Sequence, residues 1–309
     1  MRILGKTTIN FMATRRSWYI VSAVVILAGL VSLFMKGVNY GIDFLGGTEL
    51  VVRFDQAVDI GKVRSAMTGV GFESAEIKTF GSDRDILIRT PSIETEEGVA
   101  VGDILQQGLR DSFSGNQFTV QKEDKIGPKI GAELRRDAIY AVAASLIAIW
   151  LYIGFRFRFV YGIGAVAALF HDVLITLGII SIFDGVAGLN LEISQNMIAA
   201  FLTLVGLSVN DSVVIFDRIR ENQKIFKTMN LADLMNKSIN EMLSRTIITS
   251  GTIFIVLMVL MIFGGEVNRG FAFTLLIGII TGTYSSVYTA SAVALDWTLR
   301  GKAQGRMVK

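Results

Sequence analysis

The sequence contains no cysteine, a single histidine and only two prolines. The lack of cysteine excludes a disulfide framework, a thiol nucleophile and a thiolate metal site, and one histidine excludes a multi-histidine metal centre. The formal net charge of +3 is too small, and its cations are too dispersed, to indicate binding to nucleic acid. We therefore expect no metal, no cofactor and no nucleic-acid partner.

Charged residues are also scarce over six long stretches of the chain. Hydrophobic residues make up 51% of the sequence and the mean hydropathy is +0.53, which exceeds what a soluble core needs. A run of about 20 apolar residues matches a hydrocarbon core of about 30 Å. The sequence predicts an α-helical polytopic membrane protein in contact with membrane lipids, with six transmembrane helices at residues 18–35, 138–155, 160–183, 197–216, 246–264 and 271–294.

The segments between these runs alternate in charge, which predicts their orientation. Loop 184–194 contains acidic residues and no basic one, whereas the opposite set of loops and both termini are rich in Lys and Arg. By the positive-inside rule the basic set is cytoplasmic. The first run is a retained anchor in this interpretation, because residues 36–40 do not resemble a signal-peptide cleavage site. The cations on which the orientation depends include Arg2, Lys6, Arg15, Arg16, Arg156, Arg158, Arg300, Arg306 and Lys309.

The stretch between the first and second runs resembles a soluble domain, and the orientation places it outside the cell membrane. Alternating β-branched residues predict strands at 48–54, 76–80, 85–89 and 118–122, and apolar residues at helical spacing predict helices at 60–70 and 99–113. The order βαββαβ predicts an α+β domain of ferredoxin-like arrangement. It has no acid/base constellation typical of catalysis, so we expect binding or mechanical work and no enzyme. The predicted division is 1–17, 18–35, 36–137, 138–294 with a cytoplasmic loop at 217–245, and 295–309.

Charged residues lie at three sites where hydrocarbon is expected: Asp211 beside Asn210, Asp172 beside His171, and Arg245. A charge there costs at least about 2.5 kcal/mol, so such residues usually face the bundle interior and serve function. Asp211, beside Asn210, lies about two turns inside the fourth run, and Arg245 begins the fifth run at the same cytoplasmic end. In the functional interpretation, protonation of Asp211 releases Arg245 and lets helices move. The structural alternative is a polar contact that locks the bundle.

Four further residues admit a functional and a structural interpretation. His171 and Asp172 lie near the middle of the third run and either belong to a proton pathway or hydrogen-bond neighbouring helices. Asp217 and Arg218 continue the fourth helix towards the cytoplasm, which favours a solvated helix end over a chemical role.

Two periodic patterns predict packing. Between the fourth and fifth runs, apolar residues at helical spacing predict an amphipathic helix on the membrane surface or on a partner: Leu231, Leu234, Met235, Ile239 and Met242. In the sixth run, small residues at four-residue intervals predict close helix contact: Gly278, Gly282, Ser286, Ala290 and Ala294.

Several motifs together resemble the SecD/SecF family of protein-export membrane proteins, in its SecF branch. The first is Gly41-Ile42-Asp43-Phe44-Leu45-Gly46-Gly47-Thr48, just after the first run. Residues 206–222 resemble the fourth-span motif, with Leu207 where the family often has an aromatic residue. Smaller matches are 170–172, 244–246 and 282–286.

The resemblance implies a function that residue spacing alone does not. Such a subunit pairs with SecD in the bacterial inner membrane, in an assembly of the resistance-nodulation-division type. It works beside the SecYEG channel and YajC, and uses the proton-motive force to draw a preprotein out on the periplasmic side. By motif position, Asp211 and Arg245 would form the proton-pathway pair, with Asn210 beside them. Two alternatives stay open: half of a proton-coupled exporter of small molecules or lipids, and a passive membrane scaffold.

Overall fold

The computed structural model describes residues 7–91, 99–157, 159–186 and 189–303. The predicted cytoplasmic cations Arg2, Lys6, Arg158, Arg306 and Lys309 lie outside the described residues. The first part of the chain contains α1 (Phe11–Lys36), α2 (Ile42–Leu45), β1 (Gly47–Phe54), α3 (Ile60–Gly69), β2 (Glu76–Thr79), β3 (Asp85–Thr90), α4 (Val101–Ser112) and β4 (Phe118–Ile126). The second part contains α5 (Pro128–Arg156), α6 (Phe159–Phe183), α7 (Gln195–Ile225), α8 (Leu231–Phe263), α9 (Gly265–Ser285), a π-helical turn (Ser286–Ala290) and α10 (Ser291–Ala303).

Within the described ranges, six helices are long and apolar enough to cross a membrane. They are α1, α5, α6, α7, α8 and the continuous helix formed by α9, the π-helical turn and α10. Their starts follow local signals: the side chain of Asn10 caps α1, Ser194 caps α7 and Asn230 caps α8, while Pro128 opens α5. The predicted six spans are therefore confirmed, although the helices extend several residues beyond the apolar runs.

The α+β domain consists of β1–β4 with α3 and α4. Its sheet has the order β2-β3-β1-β4 with every neighbouring pair antiparallel, as a βαββαβ chain of ferredoxin-like arrangement requires. Alternate residues Leu50, Val52 and Phe54 of β1 face the helices and pack on Val63 and Leu105. The predicted fold class is confirmed. The strand β4 runs four residues past the predicted end because, as an edge strand, it tolerates charged residues on its exposed side.

The segment between α7 and α8 differs from the prediction. No separate surface helix forms in the described chain, because α7 continues to Ile225 and α8 begins at Leu231. The apolar face predicted to lie on lipid or on a partner packs within the chain, where Leu234, Met235 and Ile239 join Phe11 and Phe216 in one buried cluster. The physical reason is length. A helix of 33 residues exceeds the about 20 needed to span hydrocarbon, so its first turns extend outside and pack on the end of α7.

Small residues bring the helices close together, as predicted. Gly278 lies against Leu204 and Gly282 against Ser208, while the hydroxyls of Ser286 and Ser212 are 2.9 Å apart, so the first part of the small-residue stripe packs on α7. Its last two members, Ala290 and Ala294, lie against Gly164 of α6. A second close approach was not predicted: the backbones of α1 and α6 meet at Gly29 and Gly178.

Candidate proton site in the membrane-spanning helices

Asp211 is a buried carboxylate at the junction of three membrane-spanning helices. It lies on α7 with 7% of its surface exposed, and the hydroxyl of Ser250 on α8 donates a hydrogen bond of 3.3 Å to its Oδ2. Thr283 on α9 in turn donates to Ser250 over 2.8 Å. A neutral hydroxyl is a modest partner for a buried carboxylate, so this arrangement can accommodate the residue in either protonation state.

Arg245 does not form the predicted direct ion pair. Its side chain is exposed, and among the described residues it makes no salt bridge with Asp211. The reason is its position around the helix. Arg245 precedes Ser250 by five residues, which is about 140° around α8, so when Ser250 faces α7 the arginine points away from it. The charge of Arg245 reaches Asp211 only through a longer-range Coulombic interaction.

Asn210 points to the outside of the bundle rather than into it. It shares the exposed side of α7 with Thr203 and Gly206, and its amide makes no hydrogen bond within the described ranges. On the neighbouring helix α8, the exposed polar residues near this depth are Arg245, Thr249 and Thr252. We call these six residues the exposed polar face.

His171 and Asp172 form a second buried polar cluster. Asp172 is 1% exposed, and its Oδ2 accepts hydrogen bonds from Ser208 at 2.5 Å and Ser285 at 2.7 Å. Its Oδ1 lies 2.9 Å from Nδ1 of His171. The Nε2 atom of His171 lies 2.9 Å from the Ser22 hydroxyl on α1. The cluster therefore connects α1, α6, α7 and α9, as the structural interpretation of these residues requires.

The comparison with known proteins identifies the family. The family model for the C-terminal part of the protein export membrane protein SecD/SecF matches residues 106–300, and the model for the SecD/SecF GG motif matches residues 31–58. The protein translocase subunit SecF of Rhodothermus marinus is 44% identical over 313 aligned residues, which cover 99% of each chain. The chain belongs to the SecF family of protein translocase subunits. The SecF subunit of Pseudomonas aeruginosa is 38% identical and covers 93% of this chain and 91% of its own.

Solved structures agree with this assignment. The crystal structure of SecDF from Thermus thermophilus, a translocon-associated membrane protein, matches with a TM-score of 0.84 and 38% identity over 95% of this chain. A crystal structure of SecDF in a super-membrane-facing form matches with a TM-score of 0.70 and 37% identity over 98% of the chain. This SecF-family chain covers 39% and 40% of those two chains, so it spans about two fifths of a SecDF protein.

The GG motif of the SecF family forms a corner between the α+β domain and the helices. Gly46 and Gly47 have φ of 78° and 120°, which favour glycine, and a side chain on Gly46 would collide with Pro128 at the start of α5. The carboxylate of Asp43 accepts a hydrogen bond of 2.7 Å from the backbone N–H of Gln195, the first residue of α7. The remaining motif residues extend this corner: the Gly41 N–H donates to the Ile193 carbonyl at 2.9 Å, and Thr48 pairs with Thr90 in the sheet.

Asp217 and Arg218 belong to a polar network at the end of α7 outside the apolar run. Arg218 forms salt bridges with Glu221 at 2.5 Å and Glu241 at 2.6 Å, and Asp217 lies 3.9 Å from Arg156 with 63% of its side chain exposed. This agrees with the predicted solvated helix end.

Sequence reasoning missed a set of ion pairs between the α+β domain and the loop before α7. Arg89 on β3 bridges Glu49 on β1 at 2.6 Å and Glu192 at 2.7 Å, and Lys122 on β4 contacts Glu49 at 2.9 Å. We call these four residues the interdomain cluster, and they line a cavity of about 250 Å³. The charged residues that recur on the face of β1 and β3 opposite the helices could have indicated this cluster in the sequence.

The interdomain cluster keeps its charges despite burial. Burial raises the pKa of Glu49, but the hydrogen bonds and charges of Arg89 and Lys122 together lower it by a larger amount. The pKa of this carboxyl therefore lies below its ordinary value of 4.5. Burial lowers the pKa of Arg89, and the carboxylates of Glu192 and Glu49 raise it more, so its guanidinium stays charged.

Proposed function

We propose that this SecF-family chain assembles with a SecD-type subunit in the bacterial inner membrane and uses the proton-motive force to assist preprotein translocation, with Asp211 as the proton carrier. The observation that carries the proposal is the burial of Asp211 among membrane-spanning helices, where the Ser250 hydroxyl is its one hydrogen-bond partner in the described part of the chain. An ionisable group in such a place is costly unless it serves function. The SecYEG channel, YajC and the moving preprotein are the further partners of this proposal.

The exposed polar face supports a membrane-embedded partner. Asn210 and Arg245 would face hydrocarbon if the chain were alone, and each such polar side chain is unfavourable there. A second helical subunit that covers α7 and α8 satisfies these groups and completes the surroundings of Asp211. The SecDF structures, of which this chain spans about two fifths, support a SecD-type subunit as the occupant.

The proposal includes an orientation and a division of labour. The basic residues of the α7–α8 end face the cytoplasm, as do both termini, and the α+β domain within residues 36–137 is periplasmic. Residues 18–35 and the bundle 138–294 cross the membrane. The α+β domain then lies on the side where the preprotein emerges.

Helix α7 supplies the mechanical link in this mechanism. Asp211 lies in its middle, its first residue is held by Asp43 of the GG motif, and the loop before it carries Glu192 of the interdomain cluster. Protonation of Asp211 removes the charge that the Ser250 hydroxyl and the distant Arg245 attract, so α7 and α8 can shift relative to each other. A shift of α7 moves both attachments of the α+β domain. The different TM-scores of the two SecDF forms at nearly equal identity support such motion in this family.

Replacing Asp211 with Asn tests the proposal, because Asn keeps the size and hydrogen bonding of Asp and cannot be protonated. In proteoliposomes with SecD-type and SecYEG partners, we expect Asp211→Asn to abolish the part of preprotein export that depends on the proton gradient, and the proton flux coupled to it. The matched control is Asp217→Asn, an exposed carboxylate on the same helix, which should retain both activities.

The outcome of this experiment also separates the alternatives. Unaltered export and proton flux in Asp211→Asn would refute proton coupling through this residue. Loss of assembly with the partner and nothing else would favour the scaffold. An exporter of small molecules would instead require a larger external domain with a substrate cleft, and the α+β domain within residues 36–137 is small for that.

A further inference from the structure

A chain of hydrogen bonds links Asp172 on α6 to the backbone of α1. It runs from Asp172 through His171 to the Ser22 hydroxyl, then over 2.6 Å to the Tyr284 hydroxyl on α9, and ends at the carbonyl of Trp18, 3.1 Å from Tyr284. Each contact in this chain needs one hydrogen. The hydrogens available along the chain, taken from the Trp18 carbonyl onwards, set the number of protons that the His171–Asp172 pair holds when all four contacts are hydrogen bonds.

The count begins at the carbonyl of Trp18, which can only accept a hydrogen bond. In the arrangement in which Tyr284 donates to this carbonyl, the tyrosine uses its single hydroxyl hydrogen. The hydrogen between Tyr284 and Ser22 must then come from Ser22, whose only hydroxyl hydrogen is also used. The contact between Ser22 and His171 is therefore made by an N–H on Nε2 of the imidazole.

The other end of the imidazole needs a second hydrogen. Its Nδ1 lies 2.9 Å from Oδ1 of Asp172, and two bare lone pairs at this distance would repel each other. A neutral imidazole with a proton on Nε2 and an ionised Asp172 supply no hydrogen for this contact. When all four contacts are hydrogen bonds, the pair therefore holds one more proton, either as imidazolium with carboxylate or as imidazole with carboxylic acid.

We propose that His171 and Asp172 form a proton-binding site separate from Asp211, in which the two side chains share one proton. With this proton the pair has no net charge. Without it the pair carries one buried negative charge, and no Lys or Arg of the described chain forms a salt bridge with Asp172. Two hydroxyls, those of Ser208 and Ser285, are then the only described hydrogen-bond donors left to Asp172 besides the imidazole.

Release of the proton changes contacts between helices. If the imidazole keeps its hydrogen on Nδ1, Ser22 must turn its hydroxyl towards Nε2. The contact between Ser22 and Tyr284 then needs the hydroxyl hydrogen of Tyr284, and Tyr284 must give up its hydrogen bond to the Trp18 carbonyl. The shared proton therefore holds α1 against α9. The affected part of α9 precedes the π-helical turn at Ser286–Ala290, and such turns are frequent where helices adjust at functional sites.

Other titratable groups on the surrounding helices have different surroundings. Asp211, one turn from Ser208 on α7, contacts Ser250 on α8. At the far end of α1, Arg15 and Tyr19 both bond Asp296 of α10. The tyrosine ring nearest to Tyr284 is that of Tyr288, at 5.6 Å. The groups that share the chain itself are His171, Asp172 and Tyr284.

The single histidine makes a direct test possible, because a ¹⁵N-histidine label reports on His171 alone when the protein is purified without a histidine tag. The full chain in lipid bilayers is measured by solid-state NMR between about pH 5 and pH 9. We expect a proton on Nε2 at the acidic end, together with either a protonated Nδ1 or a protonated Asp172 carboxyl in the infrared spectrum. A neutral imidazole protonated only on Nδ1 throughout this range would overturn the proposal.

Two serine variants test the chain beyond the pair. Ser22→Ala removes the partner of Nε2, so the Nε2 resonance should shift while Nδ1 keeps its contact with Asp172. The matched control is Ser32→Ala, which removes the hydroxyl contact of 2.9 Å with Ser181 between the same two helices. Both resonances should be unchanged in Ser32→Ala. An unchanged Nε2 resonance in Ser22→Ala would contradict the chain, and neither measurement requires export activity.

Discussion

Arg89 links the α+β domain to the loop before α7, together with Lys78, whose Nζ lies 3.6 Å from Glu192. The side chain of Arg89 is 8% exposed and reaches Glu49 and Glu76 within the sheet and Glu192 outside it. Removing one member of a buried ion pair is costly, about 3–5 kcal/mol, because the other member is left without its partner. The interdomain cluster therefore makes the position of the α+β domain depend on a few charges.

We predict that Glu49 contributes to the stability of the α+β domain and that this contribution is lost in acid. Because the pKa of Glu49 is lower in the folded protein than its ordinary value of 4.5, its ionised form stabilises the fold at neutral pH. This contribution is present above pH 4.5 and is lost as the pH falls through the lowered pKa. The measurement is hydrogen exchange of β1 and β3 amides in the full chain, corrected for the intrinsic pH dependence of exchange.

Two variants control this experiment. Glu49→Gln should reduce the protection at neutral pH and remove the part of its acid dependence that Glu49 causes. Glu123→Gln changes an exposed carboxylate on β4 and should keep both the protection and its pH profile. Equal acid profiles in wild type and Glu49→Gln would contradict the role of Glu49.

The sequence predicts how deep in the membrane each residue of the candidate site lies, but not which neighbouring helix its side chain faces. Apolar surroundings were enough to single out Asp211, His171 and Asp172, and all three are buried. The contact between Asp211 and Arg245 was expected because an arginine at the start of one helix can reach a carboxylate two turns inside its neighbour. It fails because α8 turns Ser250 rather than Arg245 towards α7. Glu192 was not predictable as a partner of Arg89 because about a hundred residues separate them and only the fold brings them together.

Among the elements, α1 and α6 make a close backbone approach, and it depends on Gly29 and Gly178. A Cβ added to Gly178 would lie 2.7 Å from the Cα of Gly29, and a backbone atom cannot move aside as the end of a side chain can. We predict that Gly178→Ala separates these helices and destabilises the folded protein by about 1–3 kcal/mol. The measurement is thermal unfolding of the purified chain in lipid or detergent.

Gly154→Ala on α5 is the matched control for this packing prediction. A Cβ at Gly154 meets no atom within 4 Å, and alanine favours a helix over glycine by about 1 kcal/mol. We therefore expect unchanged or slightly raised stability in Gly154→Ala. Equal unfolding temperatures for the two variants would show that the contact of α1 with α6 is not limited by backbone distance.

The elements themselves follow from local sequence, since the six apolar runs and the alternating strands lie close to the positions predicted for them. What local pattern could not provide is the surface that each amphipathic face covers. The stretch that begins α8 has the periodicity of a surface helix, and only the fold shows that its apolar side is taken by Phe11, Met12 and Ile219. Periodicity predicts that a face is buried and leaves its partner undetermined.

For the molecule as a whole, the exposed polar face is the surface on which the proposed assembly depends. Gly206 lies in the middle of it, and a side chain added there meets no atom of this chain within 4 Å. We predict that Gly206→Trp leaves the isolated chain folded but prevents a SecD-type subunit from packing on α7. The measurement is co-purification of the two subunits, with the unfolding temperature of the isolated variant recorded beside it.

The same side chain at another exposed position separates a partner surface from a lipid-facing one. Leu151 on α5 has 59% of its surface exposed, so Leu151→Trp places the same side chain outside the exposed polar face. This variant should keep the partner, because tryptophan is tolerated where a helix faces lipid. If Gly206→Trp also kept the partner at wild-type stoichiometry, the subunit that covers Asn210 and Arg245 would have to bind elsewhere. The exposed polar face would then be in contact with lipid, and the partner would contribute nothing to the surroundings of Asp211.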